Sequence, residues 1–152
     1  MTMPKYAPMQ KVVLVRESRV PVENPINRPQ NLYALLRELF SGCDREEFYV
    51  VMLDIKRKVI GVNRVSVGEL SSTLVHPRET FKAAIIANAS SIIVAHNHPS
   101  ADSTPSMEDI QISKRLRDAG EILGIDVVDH LIYGSEFDIV SMVHLGLMPK
   151  GN

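Results

Sequence analysis

A short apolar run gives way to a polar loop at two histidines separated by one residue, and this junction limits what the chain can become more than any other stretch. Ser91-Ile92-Ile93-Val94-Ala95 leads into His96-Asn97-His98-Pro99-Ser100-Ala101-Asp102-Ser103-Thr104-Pro105-Ser106-Met107-Glu108-Asp109. Side chains alternate along an extended backbone, so a strand ending at His98 can aim both rings at one point. Pro99 stops the strand. Thr104-Pro105 predicts a helix start, with a hydroxyl at the N-cap and a proline at the first helical position, where a missing N–H costs nothing. Ser106 and Asp109 then stand three apart on one helix face. If the loop turns that face toward the strand end, His96, His98 and Asp109 offer two nitrogens and one oxygen to a tetrahedral zinc, one per chain. The fourth position stays open for water, as catalytic sites require. Asp102 is an alternative third ligand; its other role is to turn the loop through side-chain to backbone bonds.

The remaining chain is consistent with one domain built around that junction. A length of 152 residues with 45% hydrophobic content supports a single core. Seventeen basic and eighteen acidic residues, mixed along the chain, give a formal charge of -1 and no polycationic footprint for nucleic acid. No apolar run is long enough to span a bilayer, and no signal segment is visible, so the expected location is the cytoplasm. Cys43 is the only cysteine, which excludes an internal disulfide and a multi-thiolate zinc site. With no base nearby in sequence, it reads as an incidental buried thiol.

Residues 1–29 carry five prolines around Val12-Val13-Leu14-Val15 and are expected to form an arm or edge strand. Leu32, Leu35, Leu36, Leu39 and Phe40 predict an amphipathic helix over about residues 31–40. Residues 48–53 read as a buried strand returning through residues 59–67 as a hairpin. His76-Pro77-Arg78-Glu79 opens a second helix, with Phe81, Ala84, Ile85 and Ala89 facing inward. A third helix from Pro105 carries Ile112, Leu116, Ala119 and Leu123, with Gly124 as its left-handed C-cap. Strands follow over residues 125–133 and 137–140, then a tail at 148–152. Strands alternating with three helices imply an α/β (α+β) fold, a mixed central sheet with helices on its faces. Asp129-His130, a polar pair inside an apolar strand, is either a hydrogen-bonded structural pair or a support for a ligand ring, with the structural reading slightly favoured.

His-x-His-Pro, six residues, then Ser-x-x-Asp resembles the JAMM motif of the MPN/JAB metalloprotease domain. The fuller run His-Asn-His-Pro-Ser with Thr-Pro-Ser and Asp is similar to the bacterial RadC family within that group. Val75-His76-Pro77-Arg78-Glu79, Ala119-Gly120, Gly124-Ile125 and Asp129-His130 extend the resemblance over residues 30–147. Ala101 and Ser103 depart from it, standing where that family commonly has glycine and proline, so the loop's conformation is where this chain is expected to differ. The resemblance implies a three-layer, cytidine-deaminase-like sandwich. It also implies a carboxylate before the first central strand, in Arg45-Glu46-Glu47-Phe48: Glu46 by alignment, with Glu47, facing the other way, as competitor.

By the same resemblance, the expected chemistry is zinc-dependent hydrolysis of a peptide or isopeptide bond in a peptide or protein substrate, by a metal-activated water. Glu46 is the expected proton carrier. Ser106 is the expected donor to the tetrahedral oxyanion, although a serine at a helix start more commonly satisfies a free amide. The alternative is a non-catalytic metal-binding scaffold or interaction module associated with DNA repair or mobile elements. A zinc nucleobase deaminase needs Pro-Cys-x-x-Cys, which one cysteine cannot supply.

Overall fold

The computed structural model describes residues 1–3, 5–68 and 75–149; of the expected tail, residues 150–152 lie outside these. A 3-10 turn, Pro29–Leu32, leads into helix α1 (Tyr33–Phe40). Strands β1 (Glu47–Leu53) and β2 (Val59–Val67), helix α2 (Pro77–Ile86), strand β3 (Ser91–Asn97), helix α3 (Met107–Leu123) and strands β4 (Asp126–Ser135) and β5 (Asp138–Ser141) follow. Among the described residues the five strands form one sheet in the order β2-β1-β3-β4-β5. β1 pairs antiparallel with β2 and β3, β3 parallel with β4, and β4 antiparallel with β5. The expected mixed sheet is therefore present, with the parallel β3–β4 pair made by the α3 crossover.

Alternation on the central strands assigns each face its core. Phe48, Val50 and Met52 with Ile92 and Val94 face Phe81, Ala83 and Ala84 of α2 and Ile112 and Leu116 of α3. Val51, Leu53, Ile93 and Ala95 face Leu32, Leu35, Leu36 and Phe40. The result is three layers: α1 on one side, α2 and α3 on the other. Both faces of β1 and β3 are buried, which explains why these strands read as unbroken apolar runs rather than alternating ones.

Three local expectations differ from the structure. Residues 12–15 take no place in the sheet and are exposed. Ile85 and Leu123, expected to face inward, are exposed: α2 turns Ala83 and Ala84 to the core instead, and Leu123 is the final residue of α3. Helix α3 starts at Met107, not Pro105: Ser106, not Thr104, is the N-cap. Thr104 instead gives its N–H and hydroxyl to Asp102 Oδ1 at 2.9 and 2.7 Å. The Asp102 turn satisfies Thr104 outside the helix, and the reciprocal Ser106–Asp109 box satisfies the helix start two residues later.

Candidate metal centre

β3 carries His96 on the α2/α3 side of the sheet, fully buried beneath a stacked Phe48 ring 6.1 Å away. His98 lies one residue past the strand, held in line by its N–H donating to the Tyr133 carbonyl at 2.9 Å. Asp109 reaches them from the first turn of α3. There Ser106 Oγ accepts the Asp109 N–H at 3.0 Å, and Asp109 Oδ2 accepts the Ser106 N–H at 2.9 Å. This capping box costs the carboxylate one lone pair and fixes its direction, leaving the rest of it turned to the rings. The Ser106 oxygen is thus a helix cap; accepting a bond leaves its own hydrogen free to donate.

Three potential ligand atoms converge. His96 Nε2 is 3.0 Å from His98 Nε2 and 3.2 Å from Asp109 Oδ1, and His98 Nε2 is 3.1 Å from Asp109 Oδ2. Ligands about 2.0–2.1 Å from a tetrahedral centre stand about 3.3–3.4 Å from one another; the two ring nitrogens are close to that spacing, and with one Asp109 oxygen the three ligand atoms lie within 4.8 Å of one another. Among the described residues, His96, His98 and Asp109 form the group that can hold a metal ion. Asp102, the alternative ligand, is outside it, and its Oδ1 accepts both hydrogens of Thr104.

The protons point the same way. His98 Nδ1 lies 2.7 Å from the Asp102 carbonyl oxygen, which can only accept, so Nδ1 carries the hydrogen and the neutral ring turns a bare Nε2 lone pair inward. That lone pair and the carboxylate repel unless a cation sits between them. A proton on Nε2 is one such cation, and the neighbouring carboxylate favours it. The Asp109 carboxylate hydrogen-bonded to His98 raises the ring's pKa above its ordinary value against its partial burial, with the Asp102 carbonyl and the charges of Asp109 and Glu46 adding to it. Burial pushes Asp109 up, but hydrogen bonds from His96 and His98, the ring charge and the Ser106 N–H outweigh it and hold the carboxyl well below its usual range.

Glu46 and Glu47 part company at the start of β1. Glu47 faces the α1 side, where its carboxylate accepts the Tyr49 hydroxyl at 3.0 Å and lies 3.7 Å from Arg64. Burial, with that hydrogen bond, pushes the Tyr49 pKa up to about 12. Glu46 shares the parity of Phe48, the residue stacked on His96. Its charge is felt by His98. The backbone on either side of it is bracketed by Asn97, whose Nδ2 donates to the Arg45 carbonyl at 2.9 Å and whose Oδ1 accepts the Glu47 N–H at 2.7 Å. Sequence reasoning missed this asparagine, although its place between the two histidines requires it to face the opposite side from them.

The two departures in the loop now have structural counterparts. Ala101 has φ +64°, in the left-handed region that favours glycine. Ser103 donates its N–H to Asp138 Oδ2 at 3.0 Å and its hydroxyl to Asp138 Oδ1 at 2.5 Å, a clamp to β5 whose amide arm proline could not supply. Gly134 makes room: a Cβ there would meet Asp138 Oδ2 and Ser103 N at 2.7 Å each. Sequence reasoning missed Ser113, and it offered His130 as a support for a ligand ring only as the less favoured of two readings. His130 Nε2 is 2.7 Å from His96 Nδ1, and its Nδ1 is 2.5 Å from Ser113 Oγ. Burial, then the neighbouring His96, hold its pKa well below the ordinary value. Its partner Asp129 is structural, accepting from Ser141 Oγ and from the N–H groups of His130 and Val143. Cys43 is partly buried, and burial together with Glu47 pushes its thiol up, away from a nucleophile's range.

Comparison with known proteins identifies the family. Residues 26–147 match the family model described as RadC-like JAB domain. The chain is 54% identical over 109 residues to a UPF0758 protein of Desulfitobacterium hafniense, covering 72% of this chain and 48% of that one. It is 51% identical over 109 residues to a UPF0758 protein of Caldanaerobacter subterraneus, covering 72% and 47%. A UPF0758 protein of Rubrobacter xylanophilus is 48% identical over 120 residues, covering 79% and 53%. The chain spans about half the length of these curated relatives.

Proposed function

The chain belongs to the RadC-like JAB domain family, and from that premise we propose that it is a zinc-dependent hydrolase of peptide or isopeptide bonds, with residues 30–147 as the catalytic-type domain. The observation that carries this reading is the convergence of His96 Nε2, His98 Nε2 and the two oxygens of the Asp109 carboxylate, with contacts of 3.0–3.2 Å among them. His96, His98 and Asp109 would hold the ion. When bound, zinc supplies a Lewis acid and brings the pKa of water to about 7.

The chain's own residues supply the rest. Glu46, on the parity of the site face and bracketed by Asn97, takes a proton from the attacking water and returns it to the leaving amine. Ser106, whose cap leaves its hydrogen free, donates to the carbonyl oxygen as that oxygen gains charge. An open cleft of about 310 Å³ lies beside His98, lined by Cys43, Asn97, Pro99, Tyr133 and Glu136. No helix among the described residues is long and apolar enough to cross a membrane.

The test is a digest of linear and lysine-branched peptide libraries by zinc-loaded protein, read by mass spectrometry. We expect cleavage that falls about 10²–10⁴-fold in Glu46→Gln with zinc content unchanged. Ser106→Ala should fall about 10²–10³-fold and Ser106→Thr should recover. Full zinc occupancy with no cleavage of any peptide would overturn the hydrolase and leave a metal-binding interaction module in its place.

A further inference from the structure

The metal triangle is backed by a second ring of contacts that closes on itself. Ser113 lies one turn beyond Asp109 on α3, buried, and its hydroxyl donates to the Asp109 carbonyl at 2.8 Å. A hydroxyl has one hydrogen, so with that hydrogen committed Ser113 Oγ can only accept from His130 Nδ1, 2.5 Å away. A neutral imidazole protonated at Nδ1 has a bare Nε2. The His130 Nε2 must then accept from His96 Nδ1 at 2.7 Å, which places the His96 hydrogen on Nδ1 and leaves its Nε2 lone pair facing His98 and Asp109. Every bond in the chain has one hydrogen and one acceptor, and its direction follows from the one hydroxyl anchored on a ligand's own backbone.

Reversing all three hydrogens gives the opposite site. If the Ser113 hydroxyl turns to His130 Nδ1, His130 donates to His96 and His96 carries its hydrogen on Nε2, pointing at Asp109 Oδ1, 3.2 Å away. A protonated Nε2 cannot ligate. The Asp109 carbonyl opposes that state, because in it the carbonyl loses the Ser113 hydrogen.

We propose that Ser113 and His130 are positioning residues that fix the tautomer of His96 and so set the metal affinity of the site. This inference rests on the metal-centre reading above. It assigns a role to half of the Asp129-His130 pair, which the sequence expectation leaned toward reading as structural throughout. The neighbouring elements make the arrangement specific. β3 and β4 pair in parallel with Val94 opposite His130, so His130 is the diagonal neighbour of His96 on the same face. Phe48 packs on both rings, at 6.1 Å from His96 and 5.8 Å from His130, and both histidines are fully buried.

The test measures zinc affinity by competition with a chromophoric chelator, alongside urea unfolding of the metal-free protein. His130→Leu removes the acceptor, and Ser113→Ala removes the anchor. Each is expected to weaken zinc about 10–100-fold, the usual effect of losing a ligand's outer partner. His130→Gln, whose amide can accept from His96 and donate to Ser113, is expected to recover most of the affinity. Long-range ¹H–¹⁵N spectra of the zinc-loaded wild type should show both His96 and His130 protonated at Nδ1, and this readout does not depend on any variant folding. Failure of the wild type to bind zinc would remove the metal-centre reading itself. Wild-type affinity in a folded Ser113→Ala or His130→Leu, or an Nε2-protonated His130 in the loaded protein, would overturn this inference alone. Loss of metal-free stability with no change in affinity would likewise make the pair merely structural.

Discussion

The clamp between Ser103 and Asp138 ties the metal loop to β5, and its strength can be worked from its parts. Asp138→Ala removes the acceptor of two bonds, from the Ser103 N–H at 3.0 Å and its hydroxyl at 2.5 Å. Bonds to a charged partner contribute about 1.5–3 kcal/mol each when buried. Ser103 is buried but Asp138 is half-exposed, so water recovers part of the loss, and we expect about 2–3 kcal/mol in total. Ser103→Ala keeps the amide bond and loses the hydroxyl one, at a cost of about 1–2 kcal/mol. The two changes remove one shared bond, so the double-mutant cycle should show about 1–2 kcal/mol of coupling. The assay is urea unfolding in EDTA, which keeps metal linkage out of the measurement. For a chain of this length, Asp138→Ala should lower Tm by about 4–12 °C. Gly134→Ala should act through the same contact, because its methyl would stand 2.7 Å from both clamp atoms, and its loss should not add to that of Asp138→Ala. A coupling energy below about 0.5 kcal/mol would refute the reasoning, since contacts of this geometry would then be no better than the water bonds they replaced.

Asn97→Ala should loosen the bracket around Glu46 and reduce turnover in any assay that detects it, with zinc stoichiometry unchanged; loss of zinc in step with activity would instead make Asn97 a support for the ligands. Tyr49 tests the placement of Glu47 through alkaline pH. Its folded-state pKa of about 12 stands above the unfolded value of 10, so the stabilisation is complete below pH 10 and fades as pH rises from 10 toward 12. Tyr49→Phe should flatten that alkaline limb in urea unfolding measured between pH 8 and 11, and an unchanged slope would count against the buried Tyr49–Glu47 contact.

Reading the chain by residue type found the three converging side chains because each has a local signature. His96 and His98 are separated by one strand period, and Asp109 closes a Ser-x-x-Asp box. The same box defeated the helix boundary, because Thr104-Pro105 is an equally good start until Asp102 takes the Thr104 hydrogens. The two readings of His130 could not be separated and Asp138 could not be placed, because their roles depend on strand neighbours. Nothing local to residue 130 shows that β4 pairs with β3, or that β5 folds back beneath the metal loop. The departures at Ala101 and Ser103 were visible as departures only. That Ala101 would keep a glycine-like φ, and that Ser103 would use its amide and hydroxyl together, follow from Gly134 letting the loop approach β4 and β5.

The central claim is that this triangle of side chains is a metal site, and titration of EDTA-treated protein with zinc by calorimetry tests it most directly. The account predicts one zinc per chain, lost in His96→Ala and in Asp109→Ala and kept in Glu47→Gln. Absence of saturable binding in the wild type, or an affinity unchanged by removal of either ligand, would contradict it.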